Sequence, residues 1–142
     1  MKIIAASGGF DPLHVGHVEY LTNAKALGDR LVVILNSDDW LLRKKGYIFM
    51  PFSERKKILE SLRVVDEVVA SIDTDMSVSQ TLRVVRPTIF AKGGDRFATE
   101  IPETNVCKEL GITVIDGLGA KIQASSALVE KMRKSLSPSH KL

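Results

Sequence analysis

The chain has one cysteine, one tryptophan and three histidines in 142 residues. The lone Cys107 excludes an intramolecular disulfide and suits a reducing compartment, so a cytoplasmic location is expected. No apolar run approaches the ~20 residues of a membrane-spanning helix, and no membrane association is expected. The opening Met1-Lys2-Ile3-Ile4-Ala5-Ala6 lacks the pattern of a secretory leader. There is no Gly-x-x-x-x-Gly-Lys-Ser/Thr loop, no zinc-spaced Cys/His cluster and no nucleophile–base arrangement. Internal repeats, low-complexity segments and linkers are absent as well. Charge of one sign is also scarce: the net charge is +3, spread along the chain. That excess suits small phosphorylated ligands and offers no concentrated basic stripe for nucleic acid.

What is present fits an ordinary globular protein, with 44% hydrophobic and 26% charged residues. The length fits one domain, expected over residues 1–134, followed by a polar tail over 135–142. Its organising stretch is Ser7-Gly8-Gly9-Phe10-Asp11-Pro12-Leu13-His14-Val15-Gly16-His17. An apolar run, Ile3 to Ala6, precedes it, and a helical pattern of Val15, Val18, Leu21 and Leu27 follows. The order is strand, glycine turn, polar loop, helix. In an open α/β sheet ligands bind there, beyond a strand's carboxyl end and at a helix N-terminus whose free N–H groups favour an anion. His14 and His17 are three apart, which puts both imidazoles on one face of a first helical turn. Gly16 between them leaves room for a ligand near the backbone.

Further along, Arg30–Leu35 reads as a strand buried on both faces, as parallel strands are. It ends at Asn36-Ser37-Asp38-Asp39, which serves as a helix N-cap, as part of a site, or as both. A short helix over Trp40–Lys45 carries Arg43-Lys44-Lys45. Pro51 opens another helix, with Ser53 as its expected cap and Ile58, Leu59 and Leu62 as its buried stripe. A short strand from Asp66 to Val69, a helix from Met76 to Val85 stopped by Arg86-Pro87, and a strand over Thr88–Ala91 come next. That strand ends in Lys92-Gly93-Gly94-Asp95, readable as a simple turn or as a ligand loop. A helix over Ile101–Leu110, a strand over Ile112–Ile115 and a last helix over Ala127–Lys134, capped by Ser125, complete the pattern. The fold class expected is α/β: a Rossmann-like, doubly wound, five-stranded parallel sheet in the order 3-2-1-4-5, with helices on both faces.

The segments Gly9-Phe10-Asp11 and His14-Val15-Gly16-His17 resemble the signature of the HxGH nucleotidyltransferases. Those enzymes include glycerol-3-phosphate cytidylyltransferase, heptose-1-phosphate adenylyltransferase and pantetheine-phosphate adenylyltransferase. Leu62-Arg63-Val64-Val65-Asp66-Glu67-Val68 is similar to the Arg-Tyr-Val-Asp-Glu-Val segment of the cytidylyltransferases, with Val64 in place of the tyrosine. Lys92-Gly93-Gly94-Asp95, Asn36-Ser37-Asp38 and Lys45-Gly46 resemble the heptose-phosphate enzymes. The resemblance implies a substrate phosphate attacking the α-phosphate of a nucleoside triphosphate, with pyrophosphate released. It implies Mg²⁺ with the triphosphate, a phosphorylated small-molecule acceptor and a homodimer. It casts His14, His17 and Lys44 as catalytic, with Lys45 as the alternative lysine. Nucleotide would be bound by Gly8, Gly9, Phe10, Asp11, Gly16, Lys92, Gly94 and Asp95, and by Ala124, Ser125 and Ser126. The last three stand where the family has Ser-Thr-Thr, so one hydroxyl is missing. Asp11 would orient a histidine or the metal's surroundings. Asn36, Asp38, Arg55 and Arg63 would meet the substrate, Arg63 being equally readable as a surface or subunit-contact residue. Three functions remain open: ATP with a sugar 1-phosphate, CTP with glycerol 3-phosphate or a similar phosphoalcohol, and nucleotide binding without turnover. RNA binding is set aside, because no anticodon-binding domain or basic stripe is present.

Overall fold

The structure, a computed structural model, describes residues 1–93, 101–116, 118 and 132. Ten elements alternate along it. They are β1 (Ile3–Gly8), α1 (Val15–Lys25), β2 (Arg30–Leu35), α2 (Asp38–Lys45) and α3 (Phe52–Glu60), then β3 (Glu67–Ala70), α4 (Ser79–Val85), β4 (Ile89–Ala91), α5 (Thr104–Leu110) and β5 (Thr113–Ile115). The strands form one parallel sheet in the order β3-β2-β1-β4-β5, as the residue pattern predicts. Ile3 to Gly8 run in register with Arg30 to Leu35, and Ile4 to Ala6 with Ile89 to Ala91. The chain reverses its direction of travel across the sheet between β1 and β4, which is where such sheets bind ligands.

Leu31 through Leu35 are all buried because helices cover both sheet faces. One face packs Ile4, Ala6, Leu31, Val33 and Leu35 against Tyr20, Leu21 and Ala24 of α1 and Leu59 of α3. The other packs Ala5, Ile34 and Phe90 against Val78 and Leu82 at α4 and Val106 and Cys107 of α5. Burial, and then the nearby Glu103, push the Cys107 thiol up to about 11, so it packs as a small hydrophobe rather than reacting.

Several boundaries and faces differ from the sequence pattern. Val15 and Val18 are 53% and 40% exposed, and α1 buries Tyr20 and Ala24 beside the expected Leu21. Ser53 is not the cap of α3: Pro51 holds that position and Ser53 lies inside the first turn. Ile58 is 36% exposed, leaving Leu59 as the buried centre of the stripe. Helix α4 begins at Ser79 rather than Met76 because carboxylates take the preceding backbone. Asp75 accepts from the Ser77 amide and hydroxyl, and Asp73 accepts from the Gln80 and Thr81 amides and the Thr81 hydroxyl. The expected last helix, the cap at Ser125 and the polar tail lie outside the described residues, apart from Met132.

Candidate active site

Helix α1 opens with an unusual cap. His14 is its N-cap residue, in extended backbone, and its Nδ1 accepts the Gly16 amide at 3.1 Å. His17, three residues on, returns the contact: its Nδ1 accepts the His14 amide at 3.2 Å. The pair forms a reciprocal capping box, a role that Ser and Glu usually fill. The two rings stack with centroids 3.8 Å apart and planes 20° apart. A ring nitrogen that accepts an N–H carries no proton, so both imidazoles are neutral and hold their proton on Nε2.

The rest of the turn is packing that holds this pair in place. Phe10 is buried at φ 51, in the left-handed region. Its ring meets His17 edge-on at 4.9 Å. A Cβ at Gly9 would stand 2.9 Å from Leu41 Cδ2 and 3.1 Å from Trp40, so a larger residue there would have to push these side chains of α2 aside. Tyr20 links α1 to two strands: its hydroxyl donates to the Ala91 carbonyl at 2.5 Å and accepts the Ser7 amide at 3.3 Å. Burial pushes this phenol well above its ordinary range, so it stays neutral.

Asp11 is fully buried, and its two carboxylate oxygens accept the Phe49 and Met50 amides at 2.7 and 2.6 Å. Lys45 donates to its carbonyl at 2.6 Å and lies 3.7 Å from the carboxylate. Asp11 thus anchors the loop between α2 and α3. Arg55, expected at the substrate, is 1% exposed and lies beneath the site. Its guanidinium donates to the carbonyls of Met50, Gly9 and Asn36 and to the Asp38 carboxylate, at 2.6 to 2.9 Å. One planar fork thereby fixes the ends of β1 and β2, the start of α2 and the following loop.

A cavity of about 180 Å³ opens at the carboxyl ends of β1, β2 and β4. It gathers Gly8, Asn36, Lys44 and Lys92 from the residues expected at the site. Of the two lysines left open, Lys44 lines this cavity, its ammonium 5.5 Å over the Trp40 ring, while Lys45 is turned to Asp11. The walls also contain Trp40 and Glu103, which the sequence pattern did not single out. Each carried a signal: Trp40 is the chain's one tryptophan, four residues beyond a strand-end Asn. Glu103 is an acid between Ile101 and Val106, both buried.

Arg63 requires a correction. It is exposed in the turn before β3, where the Asp66 amide donates to the Leu31 carbonyl. That is the amino end of the sheet. The length of β2, roughly 16 Å, separates it from the cavity, so Arg63 does not meet a substrate held there by the same chain. Gly94, Asp95, Ala124, Ser125 and Ser126 lie outside the described residues.

The chain is similar to known proteins over most of its length. The cytidylyltransferase-like family model matches residues 5–129. The chain is 39% identical over 134 residues to the bifunctional protein HldE of Nitratiruptor sp., covering 93% of this chain and 28% of that protein. It is 41% identical over 111 residues to the bifunctional protein HldE of Streptomyces coelicolor, covering 77% and 24%. It thus spans about a quarter of the length of the curated relatives it matches. A lipopolysaccharide core biosynthesis protein from Thermoplasma volcanium shares its fold with a TM-score of 0.66 and 33% identity, over 82% of this chain and 94% of that one. With a matching sheet, a histidine-capped first helix and a family model spanning most of its length, the chain belongs to the cytidylyltransferase-like family of nucleotidyltransferases.

Proposed function

We propose that the chain is an adenylyltransferase joining ATP to a sugar 1-phosphate, heptose 1-phosphate first among them, with release of pyrophosphate. The observation that carries this reading is the stacked histidine pair at the switch point of the sheet. The acceptor phosphate is already a nucleophile, so the protein's task is alignment and charge stabilisation. The Nε2–H groups of His14 and His17 would donate to the oxygens that gain charge around the α-phosphorus. Being neutral and held through Nδ1, they need no reorganisation as that charge develops. Lys44 would hold acceptor or triphosphate oxygens. ATP is favoured over CTP by the similarity to HldE and by the likeness of Lys92-Gly93-Gly94-Asp95 to the heptose-phosphate enzymes.

Mg²⁺ fits this site as a passenger on the triphosphate. Among the described residues no group of three or more His, Cys, Asp or Glu could hold a metal, and the Asp11 carboxylate is taken by two amides. An ion that keeps its waters and takes most other ligands from substrate phosphates needs no such cage. Bound there, it would neutralise triphosphate charge. Among the described residues no helix is long and apolar enough to cross a membrane.

Pyrophosphate release, measured over a grid of triphosphates and phosphorylated acceptors, tests the reading. Heptose 1-phosphate with ATP is expected to be the productive pair. ATP is also expected to protect against heat more than CTP at equal concentration. A tenfold affinity preference corresponds to roughly 1.4 kcal/mol at saturating ligand. A larger shift with CTP moves the assignment to a cytidylyltransferase acting on a phosphoalcohol. Nucleotide binding without turnover on any acceptor marks a non-catalytic nucleotide-binding protein.

A further inference from the structure

Two polar side chains in the cavity wall are buried without their full set of partners. Glu103 is 3% exposed; its Oε2 accepts the Val78 amide at 2.9 Å, and its Oε1 has no partner among the described residues. Asn36 is 4% exposed, and its Oδ1 has none among them either. An orphaned carboxylate oxygen costs its full desolvation, so natural proteins retain one where something else completes it. Both residues line the same cavity as Lys44 and Lys92. One small space thus combines two cations with two oxygens that lack donors.

We propose that Glu103 and Asn36 read the hydroxyl groups of a polyol or sugar phosphate whose phosphate faces the lysines. The inference rests on the adenylyl-transfer reading proposed above, and it adds the residue that selects the acceptor. An anionic head matches the two ammonium groups, and hydroxyl donors match the two oxygens. A hydroxyl both donates and accepts, so it also satisfies either orientation of the Asn36 amide. A metal is a poorer match, since Glu103 has no second carboxylate or imidazole with which to form a metal-binding group among the described residues. Glu103 is a specificity residue here, remote from the reacting phosphorus. A site that hydrogen-bonds a substrate hydroxyl rejects the analogue that lacks it, because its own polar atoms are then left bare.

The test is Glu103→Gln in the full chain. Glutamine keeps an oxygen for the Val78 amide and places an NH₂ where Oε1 stood, turning an acceptor into a donor. With ATP saturating, kcat/KM for heptose 1-phosphate is expected to fall about 30-fold or more, mostly in KM. The KM for ATP should stay within about twofold, and the melting temperature within a few degrees. Against monodeoxy heptose 1-phosphates, the native chain should lose a similar factor on one particular deletion, and the variant should lose nothing further on that same deletion. Equal losses on every analogue, or a collapse in stability with unchanged acceptor selectivity, would show that Glu103 only ties Val78 to α5, and would overturn the inference. Asn36→Ala, with the same expected split, stands in if Glu103→Gln does not fold. Calorimetric binding of heptose 1-phosphate and glycerol 3-phosphate without ATP separates this from the catalytic reading. If no acceptor turns over yet a polyol phosphate binds the native chain and binds Glu103→Gln at least tenfold more weakly, the adenylyltransferase reading fails and the pocket stands. Equal binding by both chains, or none by the native chain, overturns the pocket itself.

Discussion

Under the proposed reaction, each of the two histidines does two jobs through two nitrogens. Nδ1 closes the first turn of α1, and Nε2 carries the proton that a phosphate oxygen would accept. Removing His17 therefore has a structural and a chemical part. His17→Ala is expected to cost about 1 kcal/mol of stability through the lost cap, seen in urea unfolding. It should lower turnover by about a hundredfold, the scale of losing one preorganised donor. A folded variant with near-native turnover would remove His17 from the chemistry. The adjacent lysines separate just as cleanly. Lys44 lines the cavity, whereas Lys45 holds the Asp11 carbonyl. Lys44→Ala should raise KM and lower kcat with the melting temperature unchanged. Lys45→Ala should act first on stability, by freeing the loop at Phe49 and Met50. Steady-state kinetics alongside thermal unfolding of the two variants reads this directly, and reversed phenotypes would exchange the roles.

Elements are held together at the site by a few buried polar hubs. Arg55 of α3 binds the ends of β1 and β2, the start of α2 and the loop before α3 through one guanidinium. Its removal would leave three carbonyls and Asp38 without their donor. Arg55→Leu is expected to cost about 3–5 kcal/mol, measured by denaturant unfolding. Lysine should rescue little of it, because a single ammonium cannot span four acceptors. At the opposite end of the sheet, Asp66 joins α1, β2 and the turn before β3. Its carboxylate meets Lys25 at 2.5 Å and the Leu31 amide at 2.7 Å. The Lys25 hydrogen bond, then the Leu31 amide, hold its carboxyl below the ordinary carboxylate range. A depressed folded value means the stabilisation is complete above about pH 4 and is lost as pH falls through the folded value. Both side chains are about 30% exposed, so the pair contributes no more than about 1 kcal/mol. Asp66→Asn should therefore melt below the native chain at pH 7, with the gap narrowing as pH falls below about 4; a gap that stays constant in acid would contradict this.

On the scale of the whole molecule, β3 and β5 are the sheet's edges, and Arg63 lies exposed beside β3, away from the cavity. A position there suits a contact between copies of the chain better than a contact with substrate. We expect a homodimer by light scattering at tens of micromolar. Arg63→Glu should shift it toward monomer while leaving the monomer folded. A native chain that is monomeric at that concentration would count against both statements.

Local pattern was enough for the sheet and for its histidines. A β2 that is apolar from Leu31 to Leu35 must be covered on both faces, and this with strand–helix alternation leads to a parallel sheet whose ligand edge is known in advance. The glycine turn and the three-residue histidine spacing point to a candidate site at the first strand–helix junction, and both are short-range features. What the pattern did not contain is the direction in which each charged side chain points. Lys44 and Lys45 are neighbours in sequence, but a helix turns successive residues about 100° apart, and only the packing of α2 against Asp11 sends one to the cavity and the other to a carbonyl. Arg55 and Arg63 both read as substrate arginines. One is buried as a strut and the other lies at the far end of the sheet, since burial and sheet end are set by how α3 packs and not by its residue types. Glu103 entered the site for the same reason. Sixty-seven residues separate it from Asn36, and only the crossing of the chain from β2 to α5 brings their two orphaned oxygens into one cavity wall.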